Sequence, residues 1–80
     1  MKVVRVRHIK DTLAKEYLFE TKRNLKKGDI VLCSVKTDKE DVGICTSDSM
    51  EISKAVLEFL SYDAGWSFPL KPVIGKIERW

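Results

Sequence analysis

The sequence predicts an α+β domain in which a small five-stranded antiparallel sheet, or a partial barrel, carries one amphipathic helix over about 49-62, between strands four and five. Three observations carry that reading. Several short segments alternate apolar and polar residues with a period of two. A single segment repeats its apolar residues with a period near 3.6. The chain of 80 residues is long enough for one domain, 1-80, with one modest core, and too short for two.

The first strand is read at residues 2–9, where Val4, Val6 and His8 fall on one side and Val3, Arg5, Arg7 and Ile9 on the other. Residues 15–22 set Tyr17, Phe19 and Thr21 against Glu16, Leu18 and Glu20, a second β pattern. Helix competes there, because residues 11–18 hold good helix formers with apolar Leu13, Tyr17 and Leu18. Turn chemistry at Asn24 to Asp29, with Gly28 free to take a positive φ, leads into the apolar run Ile30 to Val35 as strand three. The polar stretch Lys36 to Asp41 is read as an exposed hairpin loop before strand four at Val42 to Thr46, and Gly43 marks a bulge or a close backbone approach. Folding that hairpin symmetrically about Lys39 places Cys33 opposite Cys45.

Ile52, Ala55, Val56, Phe59 and Leu60 fall at i, i+3, i+4, i+7 and i+8, which predicts a helix with that stripe buried. Asp48-Ser49-Met50-Glu51 reads as its capping box and Gly65 as its stop. Residues 66–72 are expected as an extended loop, and 73–80 as the closing strand. In its element order the chain resembles small SH3-like barrels, which carry a short helical turn between their fourth and fifth strands. A fold analogy of this kind leaves function open.

Composition narrows the function classes. The chain is 44% apolar and 34% charged, as in ordinary globular proteins. No apolar run approaches the roughly 20 residues that cross a bilayer, and charges interrupt residues 1–7 before any signal-peptide core forms, so a cytoplasmic location and no membrane partner are expected. Residues 1–40 carry 11 basic against 6 acidic side chains, and residues 41–80 carry 4 against 6, so the net charge of +3 is concentrated in the first half. That bias allows a basic face of Arg5, Arg7, Arg23, Lys26 and Lys27, whose functional reading is contact with nucleic acid; its bland reading is a solvated surface.

Chemistry-bearing residues are few. One histidine, two cysteines and no glycine-rich phosphate loop give no catalytic constellation, so an enzyme, a cofactor and a small-molecule substrate are not expected. Cys33 and Cys45 are read as buried apolar-like thiols, with a reversible disulfide as the functional alternative. Two sulfurs and His8 lack the fourth ligand of a zinc site. Pro69 and Pro72 have polyproline-ligand spacing and otherwise stiffen a loop. Trp66 and Phe68 in that loop are either core or, with Leu70, an apolar patch for a protein partner or for self-association.

Leu25-Lys26-Lys27-Gly28-Asp29-Ile30-Val31, followed by Val35-Lys36-Thr37 and Val42-Gly43-Ile44-Cys45, resembles the pattern of the PSP1 family and of the N-terminal domain of primosomal helicases, over residues 3–46. That resemblance implies a DNA- or replication-linked binding role with Lys26, Lys27 and Lys36 near the partner. The chain departs from the pattern in lacking a glycine in the 36–41 loop and in its helix and last strand. The leading expectation is a non-enzymatic small binding module engaging a protein partner or itself. The alternative is a nucleic-acid-binding β-barrel using the basic face.

Overall fold

The structure is a computed structural model that describes residues 1–10, 15–36, 39–64 and 70–78, with side chains described for all of these except Lys36 and residues 60–64. Among the described residues six strands and one helix follow in the order β1 (Lys2–His8), β2 (Glu16–Glu20), β3 (Ile30–Lys36), β4 (Lys39–Cys45), β5 (Met50–Glu51), α1 (Lys54–Ala64) and β6 (Val73–Ile77). All the strand ladders are antiparallel and run β2-β1-β4-β3-β6, with β5 beside β1. The sheet is therefore open and has six strands where five, or a partial barrel, were expected. Its two edge regions meet at one isolated parallel bridge, Glu20 with Pro72.

The extra strand comes from a break in what the sequence presents as one strand and a helix cap. β1 pairs through Val6, Arg7 and His8 with β4 and through Lys2 and Val3 with β5, while residues 46–49 loop out between them. That excursion receives the turn before β3. Ser49 Oγ accepts from Leu25 N at 2.9 Å, Ser49 N donates to Leu25 O at 2.9 Å, and the Asp48 carboxylate accepts from Lys27 N at 2.9 Å. Asp48 thus caps no helix. Ser53 does, its hydroxyl accepting from Val56 N at 3.2 Å, so α1 starts five residues later than the predicted 49.

Gly28, at φ 96°, sits where the Lys26–Asp29 turn closes through Asp29 N to Lys26 O at 2.9 Å, the third residue of a type II turn. Gly28 N and Asp29 O both bond Cys45, at 2.8 Å each, so Gly28 is also the extra residue of a bulge. Gly43 is required for a different reason. A Cβ there would lie 2.3 Å from Val6 Cγ1 and 3.1 Å from Arg7 O, which realises the close approach of backbone read from the sequence.

Two apolar clusters lie on opposite faces of the sheet. The inner one joins Val4, Val6, Phe19, Leu25, Val31, Cys33 and Cys45, with Val73 packed against it. The outer one joins Val3, Leu57 and Leu70, with Leu18 and Ile52 against it. The alternation predicted for residues 2–9 and 15–22 is thereby observed, and residues 16–20 are strand rather than helix. Each fully buried Val or Leu contributes about 1.5–3 kcal/mol relative to exposure. Leu57, fully buried, anchors α1 to the outer face. The predicted stripe is rotated away from it, leaving Val56 49% and Phe59 69% exposed. Moving the cap to Ser53 changes nothing in the helical phase; Leu57, at about 100° per residue, lies on the far side from Phe59, and the sheet takes Leu57.

Candidate binding surfaces

Where the edges of the sheet meet, Glu20 N donates to Lys71 O at 3.0 Å beside the isolated Glu20–Pro72 bridge. Residues 20–23 and 72–74 line a half-open cleft of about 550 Å³ between them. One wall is shaped by Thr21, which is buried; its Oγ1 accepts from Arg23 N at 3.0 Å and turns Lys22 and Arg23 outward. The other wall is the start of β6. Cys33 pairs with Val73 and Leu32 with Gly75, so Ile74 is an extra residue, and its side chain is 46% exposed. The sequence signal for this wall was only the pair of prolines and an isolated glycine; nothing in it announced the bulge.

The five basic residues of the nucleic-acid reading occupy two places. Arg5 and Arg7 are exposed on the outer face of β1, and Arg5 pairs with Glu16 at 3.6 Å across to β2. Arg23, Lys26 and Lys27 are exposed in the segment between β2 and β3. The two places are linked through the 46–49 excursion, which bonds Arg5 through Thr46 N to Arg5 O at 2.9 Å and Arg5 N to Ser47 Oγ at 3.2 Å, and Lys27 through Asp48. A carboxylate therefore stands at that junction.

Of the three predicted interface residues, Trp66 and Phe68 lie outside the described residues, as do Gly65, Pro69 and Trp80. Leu70 is 7% exposed and belongs to the outer cluster with Val3 and Leu57. The exposed apolar side chains among the described residues lie elsewhere, with Phe59 and Val56 at the head. Paired in register on the outer face of β3 and β4, Ile30 with Ile44 and Leu32 with Val42 add a half-buried aliphatic strip.

The hairpin register separates the two thiols. Lys36 pairs with Lys39, so the strands run on through residues 39–41, and Cys33 faces Asp41 instead of Cys45. Cys45 faces Val6. Both thiols are free and buried in the inner cluster, four register steps apart, too far for a disulfide without moving backbone. Burial pushes the Cys33 thiol up to about 12, with Cys45 and Asp41 adding to the effect; burial, then Asp29, pushes Cys45 up to about 11 against a lowering by Lys76. Thiols held protonated and out of solvent are the reverse of what nucleophilic catalysis needs. His8 stacks obliquely on Tyr17 at 5.4 Å and meets the edge of Phe19 at 5.8 Å. Its Nδ1 is 3.5 Å from Asp41 Oδ2, yet this contact lacks hydrogen-bond geometry, and Asp41 Oδ1 instead accepts from Val42 N at 2.9 Å.

No group of three or more metal-ligating side chains occurs among the described residues, and no helix among them is long and apolar enough to cross a membrane. No protein family, curated protein or solved structure matches this chain.

Proposed function

We propose that the protein is a non-enzymatic binding module that engages a protein partner or a second copy of itself through the outward side of α1. The observation that carries this reading is the exposure of Phe59 and Val56, three residues apart on one helix, while Leu57 between them is fully buried. An apolar pair at that spacing is what a helix presents to a groove in another protein, and aromatic side chains dominate the energetics of such contacts. The half-buried strip of Ile30, Leu32, Val42 and Ile44 adds apolar surface on the sheet.

The nucleic-acid alternative ranks second, because Arg5 already engages Glu16 and Asp48 stands beside Lys27. A Val56→Ser/Phe59→Ser variant tests the leading reading by sedimentation velocity and by rebinding of captured proteins as purified components. The double variant should stay folded and lose self-association or the purified partner. Identical sedimentation and identical rebinding for both proteins would remove the helix as an interface. A salt-sensitive gel shift with single- or double-stranded DNA or RNA, lost in Lys26→Glu/Lys27→Glu, would replace it with the alternative.

A further inference from the structure

Among the described residues β6 pairs with β3 along one edge, and no strand pairs with its other edge. The polarity of that edge follows from two hydrogen bonds. Ser34 N donates to Pro72 O at 3.1 Å, and Cys45 N donates to Asp29 O at 2.8 Å. Even-numbered residues of β3 therefore turn their backbone groups toward β6 and odd-numbered ones toward β4. Val31 faces β4, so its register partner Lys76 turns its N–H and C=O away from the sheet. An edge of this kind is a template for another strand.

This free edge starts at the cleft. The Glu20–Pro72 bridge is isolated, and the cleft beside it is lined by the start of β6 and by Lys22 and Arg23. Both cations are exposed, and neither side chain has an ionic or hydrogen-bond partner among the described residues. Glu20 is the one acidic side chain of the lining among the described residues. Exposed Ile74 adds an apolar contact at the mouth.

We propose that the cleft docks an extended, acidic segment of a partner protein, which adds as a strand to the free edge of β6 and lays its carboxylates against Lys22 and Arg23. Main-chain hydrogen bonds to the edge supply affinity, and alternate side chains of the added strand supply specificity. The unpaired cations set the sign of the partner and speed its encounter. This site is distinct from the outward side of α1 and does not rest on it.

The test is fluorescence anisotropy with a labelled eight-residue peptide alternating valine and glutamate, beside its valine–lysine counterpart. The protein should bind the acidic peptide and not the basic one. Lys22→Glu/Arg23→Glu should weaken binding about tenfold or more with an unchanged thermal melt. Methylating alternate backbone nitrogens of the peptide gives a readout that leaves the protein untouched: one phase should abolish binding and the other preserve it, because an added strand uses every second N–H. Failure of the acidic peptide to bind, equal binding by the charge-reversal variant, or full binding by both methylated phases each overturns the proposal. So does an oligothymidine that binds and is lost in the same variant while the peptide does not bind. Loss of peptide binding in the Val56→Ser/Phe59→Ser variant would also overturn it, by moving the site to the helix.

Discussion

Replacing Gly43 by alanine puts a methyl group into the contact between β4 and β1. The new Cβ would stand 2.3 Å from Val6 Cγ1 and 3.1 Å from the Arg7 carbonyl oxygen. Carbon atoms pack best at about 3.5–4.0 Å, so the Val6 methyl must retreat by more than about 1 Å. Val6 is fully buried in the inner cluster, and the Arg7 oxygen belongs to a paired strand, so neither neighbour gives way freely. Overpacking of this kind costs about 1–3 kcal/mol. In a domain of this size each kcal/mol lowers Tm by about 4–8 °C. Urea unfolding followed by far-ultraviolet circular dichroism measures the loss. A cycle with Val6→Ala locates it, since that change removes Cγ1, alone costs about 2 kcal/mol, and leaves room for the alanine methyl. The double variant should be more stable than the sum of the singles by about 1 kcal/mol or more. An unchanged Gly43→Ala midpoint, or strict additivity with Val6→Ala, would refute the clash as the reason glycine stands there.

The two sides of α1 should respond oppositely to truncation. Leu57→Ala is expected to destabilise by about 2–5 kcal/mol, whereas Phe59→Ala should stay within about 0.5 kcal/mol of wild type, both read from the same urea curves; a large Phe59 effect would place that ring in the core. Both thiols are harder to ionise folded than unfolded, so their contribution is whole below the ordinary thiol value of 9.0 and is lost as pH rises toward about 11 for Cys45 and 12 for Cys33. Urea midpoints should therefore fall above pH 9, and less so in a Cys33→Ala/Cys45→Ala variant, the comparison separating thiols from lysines and tyrosines. Native protein should react with a disulfide reagent only as fast as it opens; modification within the mixing time would contradict the burial of both thiols.

The strands were legible in the sequence wherever one face is wet and the other dry. Val4 and Val6 against Arg5 and Arg7, and Phe19 against Glu16 and Glu20, alternate because the inner cluster accepts only one side of each strand. Gly28 and Gly43 were legible as backbone requirements, the first for its positive φ and the second for lack of room. The helix was legible as a helix and not in its orientation. Periodicity counts Val56 and Phe59 as one apolar stripe, but which side meets the sheet depends on Val3 and Leu18, residues remote in sequence. The capping box read at Asp48-Ser49-Met50-Glu51 misled for a related reason. A side-chain oxygen caps a backbone amide equally well in a helix start or in a loop, and here Ser49 and Asp48 meet the amides of Leu25 and Lys27. The hairpin register depended on the length of the turn: polar residues 39–41 look like loop, yet they continue β4 and set Cys33 against Asp41. The cleft was not legible, since it lies where the whole sheet brings two edges together.

β1 holds β2 on one side and β4 and β5 on the other, and Met1 and Ile52 exchange hydrogen bonds at its start, Ile52 N to Met1 O at 2.8 Å and Met1 N to Ile52 O at 3.1 Å. A chain emerging amino end first can form the β1–β2 hairpin early, but a two-stranded hairpin is marginal in water. Its second edge waits for partners some forty to fifty positions downstream, such as Cys45 for Val6 and Glu51 for Lys2. Contacts spanning that much sequence are slow to find, with folding in the millisecond-to-second range typical of such topologies. During that interval Val3, Val4 and Val6 stand on an unpaired edge, and the charges of Arg5 and Arg7 between and beyond them are what discourage that edge from pairing with another nascent chain.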